Sequence, residues 1–377
     1  MFQGKMIRRL QIEMKQRNFY FDLLRIISCF LVVMVHVSGI YFESYPVNTM
    51  DWMISNIYNC IAISGVPIFF MISGALMLKP TKKIKLKNFL FHHVLYLVAS
   101  YFLTIFAYNL LYYGVSESNK NFVSFKDKVI LTSMCGNGTG VGHLWFLPVL
   151  ISIYLLVPIV KEGLAEEKNC IYFCVIFFAV AIVWKSMLLF PIPYYRIFDS
   201  LEKVIPFELY STYAGYFVLG HYLHTFIIPK IRMQIKISRN KVFCILCCIF
   251  TIGLVTTICA NAYFSLKNKT AVITANTPFF VGHFLSSVAL FAGIGILFYD
   301  KTAESRCIAK LSQLTFYIYL THPAFIYIIQ NNFGYSLNWR YPGVSIFIAT
   351  GFIFFLSLLL SMLADFLLSK KLSFLHN

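Results

Sequence analysis

Residues 21–40 read FDLLRIISCFLVVMVHVSGI, and this stretch decides the class of fold. About 20 mainly apolar residues are enough to cross the hydrocarbon core of a bilayer as an α-helix. The stretch also holds three polar side chains, Asp22, Arg25 and His36. A charge at the centre of a membrane helix costs about 2.5–3.5 kcal/mol or more, so such residues rarely occur there without a function. We expect all three to face the protein interior or a wet cavity.

The remainder of the chain has the composition of a multi-pass membrane protein. Of its 377 residues, 59% are hydrophobic and 12% are charged, whereas about 25% of the residues of a soluble domain are charged. Apolar windows long enough to span a bilayer recur along the chain. They predict an all-α bundle of about ten transmembrane helices at 19–370, between a basic cytoplasmic tail at 1–18 and a short tail at 371–377. The windows lie near 20–42, 52–78, 89–113, 143–160, 169–190, 207–228, 242–264, 277–299, 311–333 and 341–368.

The basic residues predict the orientation of these helices. With the N-terminus inside, 22 of the 32 Lys and Arg residues fall on the cytoplasmic side, nine fall outside and Arg25 lies within a helix. This asymmetry follows the positive-inside rule and predicts that both termini are cytoplasmic. The net charge of +17 therefore indicates topology and contact with anionic lipid. We expect no nucleic-acid partner.

The ten cysteines predict neither a disulfide framework nor a metal site. Eight of them lie in apolar runs, where a thiol behaves as a small hydrophobic group. Cys244 and Cys247 have CxxC spacing, but they lie inside a predicted spanning helix with no second ligand pair nearby. We expect no metal and no permanently bound cofactor.

Arg25 and His36 are predicted to share one face of the first helix. Eleven residues apart, they differ by about 20° around an α-helix and by about 16 Å along its axis. Asp22 lies three residues before Arg25 and shares that face. In one interpretation Arg25 snorkels and pairs with Asp22, while His36 is bonded to a neighbouring helix. In the other, Arg25 holds an anion near the cytoplasm, and His36 takes and returns a proton nearer the outside.

Five stretches resemble, in order and spacing, the acyltransferase-3 family of polytopic membrane O-acyltransferases that modify cell-envelope glycans. In the first stretch, ten residues separate Arg25 from His36, the spacing that marks the opening helix of this family. The resemblance runs from about residue 19 to 370. Some relatives carry an extra hydrolase-like domain, which we do not expect here. The other four stretches are VPIFFMISGALML (66–78), GHLWFLPVLISIYLLVPIV (142–160), YFVLGHYL (216–223) and LSQLTFYIYLTHP (311–323).

The resemblance implies transfer of an acyl group, usually acetyl from cytoplasmic acetyl-CoA, to a saccharide hydroxyl outside the bacterial cell membrane. It implies that His36 and Arg25 are the catalytic pair, and a pantetheine arm of about 15–20 Å would match their separation. A succinyl donor remains open, as does transport of a lipid-linked glycan or of the acyl donor. The other predicted site residues are Asp22, Ser73 and Lys83 for acyl-donor binding, and His143, Trp145, Glu208 and His322 for the acceptor or for support of the catalytic pair.

Five further histidines receive structural interpretations. His92 and His93 stand where the family often has arginines, and we expect them at a solvated interface, with nearby lysines supplying the charge. His221 and His224 are expected to face lipid headgroups at the cytoplasmic end of their helix. His283 lies within the eighth apolar window and is expected to be a hydrogen-bonded core residue.

Overall fold

The computed structural model describes residues 17–80, 84–116, 141–190, 213–234, 238–302, 305–333 and 341–374, together with positions 130, 133, 193, 200 and 201. Over these residues the chain is α-helical, and its β-structure is limited to one isolated bridge between Asn18 and Thr302. Each of the ten predicted windows corresponds to a helix, so the predicted all-α fold is confirmed. The helices are α1 (Phe19–Ser44), α2a (Met50–Ile63), α2b (Gly65–Met77), α3 (86–116), α4 (Gly142–Val160), α5 (Glu167–Leu188), α6 (214–234), α7 (Arg239–Asn268), α8 (Val281–Phe298), α9 (Arg306–Phe333) and α10 (Pro342–Phe374).

Most of these helices have the length and hydropathy of membrane spans. Eight spans in the described part of the chain are long and apolar enough to cross a bilayer, with α2a and α2b counted as one broken span. Helices α6 and α9 are not among them. In α9 the buried polar residues Ser312, Thr315 and His322 lower the hydropathy. The chain is therefore a multi-pass membrane protein in which one helix, α9, contributes an unusually polar inner face.

The helix ends that carry basic loops meet at one face of the bundle, which we call the basic face. At the start of α1, the Phe19 N–H donates to the carbonyl oxygen of Lys301, which follows α8, at 3.0 Å. Lys310 in α9 pairs with Asp365 in α10 at 2.5 Å. Up-and-down threading of the helices explains this grouping. The positive-inside rule predicts that the basic face is cytoplasmic.

Helix α1 lies at the centre of the bundle. It packs against α2a, α2b, α8, α9 and α10. Beside it, α2b crosses α6 at close range, because each helix presents a glycine to the other. A Cβ added at Gly74 would lie 1.7 Å from the carbonyl oxygen of Phe217, and one added at Gly220 would lie 2.1 Å from that of Met71. Helices in lipid associate mainly through such close packing and through polar contacts, so the glycines help to fix the geometry around α1.

Candidate active site

A cavity of about 420 Å³ lies inside the bundle and exposes the polar face of α1. Arg25 and His36 both line it, as their spacing predicts. Three other predicted site residues, Ser73 of α2b with His143 and Trp145 of α4, also line this cavity. The rest of the wall is mainly apolar, with side chains from α1, α2, α3, α4 and α9. We call this space the central cavity.

Three histidines from three helices lie close together beside the central cavity, which His36 and His143 line. The ring centroid of His36 lies 5.2 Å from that of His322 and 6.4 Å from that of His143. The His143 and His322 centroids are 5.7 Å apart. His36 comes from α1, His143 from the 3₁₀ turn that opens α4, and His322 from α9. The predicted supporting histidines are therefore both neighbours of His36.

The hydrogen bonds of His322 define its tautomer. Its Nδ1 lies 3.2 Å from the carbonyl oxygen of Ile318, which can only accept, so Nδ1 carries the proton. Nε2 is then an acceptor, and it is buried without a hydrogen-bond partner among the described residues. Pro323 follows directly and lacks an N–H, which removes one helical bond in the same turn. His322 thus offers a fixed acceptor beside His36.

Tyrosines hold the backbone around this cluster. The Tyr319 hydroxyl donates to the His143 carbonyl oxygen at 2.6 Å and ties α9 to the start of α4. The Tyr108 hydroxyl donates to the Leu320 carbonyl oxygen and accepts from the Ala324 N–H, each at 3.0 Å. This last bond gives α9 a partner across the turn that contains Pro323. The backbones that carry His143 and His322 are therefore tied to each other.

A second cavity, of about 460 Å³, opens toward the basic face and adjoins the central cavity. Arg25, Thr315 and Phe316 line both cavities. Arg17 and Lys79 belong to the second cavity alone, and we call it the basic mouth. The two cavities therefore adjoin at Arg25 and its two neighbours in α9. An elongated ligand in both would pass these residues on its way to His36.

Asp22 organises the cations of the basic mouth. Its buried carboxylate accepts two hydrogen bonds from Arg17, at 2.6 and 3.2 Å, and one from Ser312 at 2.7 Å. Arg25 lies 3.5 Å from the same carboxylate. The side chains of Arg17 and Arg25 remain 24% and 30% exposed. Asp22 therefore holds two guanidinium groups in place.

Two of the histidines expected at the lipid headgroups are instead buried. His224 bonds to the Tyr20 hydroxyl and lines the basic mouth. His221 Nε2 lies 3.1 Å from the carbonyl oxygen of Leu164. The reason is that α6 packs its His-bearing face inward against α2b and α5, and a π-helical turn at Leu223–Ile227 turns His224 toward α1. The expectation of a headgroup contact was wrong for both.

The remaining predicted residues are placed as follows. Trp145 is 41% exposed and its ring lies 5.0 Å from that of Tyr213. His92 is exposed and lines a separate small surface cavity with Lys85, which agrees with an interfacial position. Lys83 and Glu208 lie outside the described residues, so their predicted roles stay predictions.

Sequence reasoning missed the polar face of α9. Ser312, Thr315, Tyr319 and His322 are spaced by three, four and three residues, which places them on one side of an α-helix. Ser312 reaches Asp22, Thr315 lines both cavities, and Tyr319 lines the central cavity. The signal was present in the stretch LSQLTFYIYLTHP. The role of Arg17 had no such signal, because it precedes the first apolar window.

The bundle of membrane helices thus encloses a cation-lined mouth and a histidine-lined cavity. Residues 18–366 match the acyltransferase-3 family model, described as an acyltransferase domain. This match covers nearly the whole chain, so the protein belongs to the acyltransferase-3 family and is a membrane acyltransferase. Searches of curated proteins and of solved structures found no match to either.

Proposed function

We propose that the protein moves an acyl group, acetyl in the first instance, from cytoplasmic acyl-CoA to a hydroxyl of an extracytoplasmic or lipid-linked saccharide. The bilayer would be the inner membrane of a bacterium. One observation carries the proposal: Arg25 forms part of both the basic mouth and the central cavity. A donor with an anionic head and a long reactive arm fits such a pair of cavities.

The basic mouth supplies the charge that CoA phosphates require. Among the described residues on its wall, Arg17, Arg25 and Lys79 outnumber the one carboxylate, Asp22. Guanidinium groups bind phosphate with two parallel hydrogen bonds, and an ammonium group binds it as a point charge. Since Arg25 and His36 are about 16 Å apart along α1, a pantetheine arm bound at Arg25 would bring its thioester close to His36. Lys83 is proposed as a further phosphate ligand.

His36 is the proposed general base. Its neutral imidazole accepts the proton of the acceptor hydroxyl as the hydroxyl oxygen attacks the thioester carbonyl carbon. The tetrahedral intermediate then collapses, the C–S bond breaks, and the imidazolium returns the proton to the leaving CoA sulfur. In an alternative route His36 is itself the nucleophile, and an acyl-imidazole forms before the acceptor attacks.

The neighbouring histidine completes this arrangement. Asp22 is about 21 Å from His36 along the helix axis and is too distant to orient its ring. His322, with an unprotonated Nε2 and a ring centroid 5.2 Å away, would accept the N–H of His36 and leave the other nitrogen of His36 facing the cavity. His143 and Trp145 line the same cavity and are proposed to contact the acceptor, as is Glu208.

The test is chemical analysis of the cell envelope. Base-labile acyl groups on envelope glycans are measured by mass spectrometry in a deletion strain complemented with wild type or with His36→Ala. Wild type should restore an acyl group whose mass identifies it as acetyl or succinyl, and His36→Ala should not. Unchanged acylation in the deletion strain, together with loss of a lipid-linked glycan from the outer leaflet, would favour a transporter.

A further inference from the structure

A chain of buried polar side chains connects α8 to the turn of α1 that carries His36. It runs from His283 in α8, through Asn276 in the preceding loop and Asn59 in α2a, to Ser38 in α1. All four side chains are buried. His283 Nε2 lies 2.8 Å from Asn276 Oδ1, and Asn276 Nδ2 bonds to Asn59 Oδ1. The chain ends on α1, where Asn59 Nδ2 lies 3.2 Å from the Val35 carbonyl oxygen and 3.0 Å from Ser38 Oγ.

One backbone acceptor sets the direction of every bond in this chain. The Val35 carbonyl can only accept, so the amide nitrogen of Asn59 must face α1 and its oxygen must face Asn276. Asn276 then donates through its nitrogen and presents its oxygen to His283. His283 must therefore carry its proton on Nε2, and its buried Nδ1 has no hydrogen-bond partner among the described residues. The hydrogen bonds therefore fix the amide orientations of Asn59 and Asn276 and the tautomer of His283.

These hydrogen bonds end on the turn of α1 that carries His36. Val35 and Ser38 flank His36 within one turn of α1, and Val35 lines the central cavity together with His36. The His36 ring in turn lies near the rings of His143 and His322. Two residues after Asn276, Pro278 forms part of the wall of the central cavity. The same loop thus reaches the His36 turn through Asn59 and also forms part of the cavity wall.

We infer that Asn59, Asn276 and His283 are positioning residues that hold the His36 turn of α1 at a fixed height and rotation relative to His143 and His322. The inference rests on the proposed role of His36 in catalysis. The sequence predicts only a core position for His283. Through three hydrogen bonds, His283 would also help to position His36 for the reaction. Misplacement of a reacting group by about 1 Å can cost about 100-fold in rate. Loss of these hydrogen bonds should therefore lower turnover.

A second buried asparagine pair provides a matched control. Asn261 Nδ2 in α7 donates to Asn56 Oδ1 in α2a at 2.8 Å, and both residues are buried. The pair joins two helices with the same chemistry as Asn59 and Asn276, but its hydrogen bonds do not reach α1: Asn56 Nδ2 donates to the Ile258 carbonyl oxygen. A purely structural contribution of buried amides would be similar in both places.

The experiment compares Asn59→Leu, Asn276→Ala and His283→Phe with Asn261→Leu. Turnover is measured as CoA released from acetyl-CoA by membranes that hold the endogenous acceptor. The geometry of His36 is measured independently, as its rate of modification by diethylpyrocarbonate in purified protein, read by mass spectrometry. The variants of Asn59, Asn276 and His283 should lower turnover at saturating acetyl-CoA by about 100-fold. They should leave the KM for acetyl-CoA unchanged and alter the modification rate of His36 severalfold.

Two further variants make the result decisive. His283→Gln keeps a donor near the position of Nε2 and should restore most of the turnover that His283→Phe loses. Asn261→Leu should lower thermal stability without changing turnover or the modification rate. Asn276 lies in a loop outside the spanning helices, so Asn276→Ala tests the chain even if a helix variant fails to fold.

Either of two outcomes would overturn the inference. One is wild-type turnover and wild-type His36 modification in the chain variants, at equal amounts of folded protein. The other is an equal loss in Asn261→Leu. Failure of the proposed catalytic role is recognised separately, because His36→Ala itself would then retain full turnover.

Discussion

His36 of α1 and His322 of α9 lie side by side, with their ring centroids 5.2 Å apart. The Ile318 carbonyl fixes the proton of His322 on Nδ1, so the nitrogen that remains, Nε2, can only accept a hydrogen bond. A histidine held in this tautomer by one partner orients its neighbour through the other nitrogen, and the same logic applies to many catalytic imidazoles. Under the proposed mechanism, His322 would supply the orientation of His36 that a distant Asp22 cannot provide.

Replacement of His36 by alanine should abolish acyl transfer or reduce it by about 10²–10⁴-fold, the usual contribution of a positioned general base. Expression should change little, because removal of a polar group does not disfavour insertion into lipid. The measurement is acylated glycan per unit of folded protein. Normal acylation in His36→Ala would make this residue a structural histidine.

Replacement of His322 by phenylalanine should lower turnover by up to about 100-fold, since His36 would lose the neighbouring acceptor that is proposed to orient its ring. The KM for acetyl-CoA should stay near the wild-type value, because the basic mouth is unchanged. Steady-state CoA release measures both quantities. A rise in KM with unchanged turnover would instead place His322 in acyl-donor binding.

Replacement of Arg25 by alanine should weaken acetyl-CoA binding by about 10- to 100-fold, the value of one or two charged hydrogen bonds. Arg25→Lys should also weaken it, because lysine keeps the charge but loses the two-pronged geometry. Direct binding to purified protein gives the dissociation constants. Lys310→Ala is the control: its ion pair with Asp365 is exposed, and its removal should leave acetyl-CoA binding unchanged. Equal affinity in wild type and Arg25→Ala would remove Arg25 from the donor site.

Replacement of Gly74 by alanine should destabilise the fold, because the new Cβ would lie 1.7 Å from the Phe217 carbonyl oxygen. Overpacking of this kind costs about 1–3 kcal/mol. Gly351→Ala in α10 is the matched control, since a Cβ there meets nothing within 4 Å. Thermal denaturation in detergent should show a lower midpoint for Gly74→Ala alone. Equal midpoints for the two variants would contradict the observed crossing of α2b and α6.

Reporter fusions should place Lys267 outside the cell and Lys301 inside. The first residue lies in the last turn of α7 and the second follows α8 at the basic face. The prediction follows from the distribution of Lys and Arg among the loops. A fusion at Lys301 that reports an outside location would reverse the orientation of the whole bundle.

The predicted windows and the described helices agree because hydrophobicity and helical period act locally. A run of apolar residues long enough to span a bilayer must satisfy its own backbone hydrogen bonds, and a helix does so within the segment. For the same reason, the shared face of Arg25 and His36 follows from their spacing alone, and both residues line one cavity. The polar stripe of α9 obeys the same rule and was readable in principle.

Tertiary structure alone decided which faces meet. Helices in lipid have little hydrophobic preference for one another, and they associate through small residues and polar pairs that are distant in sequence. No local pattern shows that His143 and His322 lie against His36, that Arg17 and Ser312 hold Asp22, or that α6 turns His224 inward. The amino-acid sequence by itself determined the helices, their order and the polar face of α1. The crossing of those helices, set by contacts such as Gly74 on Phe217, decided what that polar face would meet.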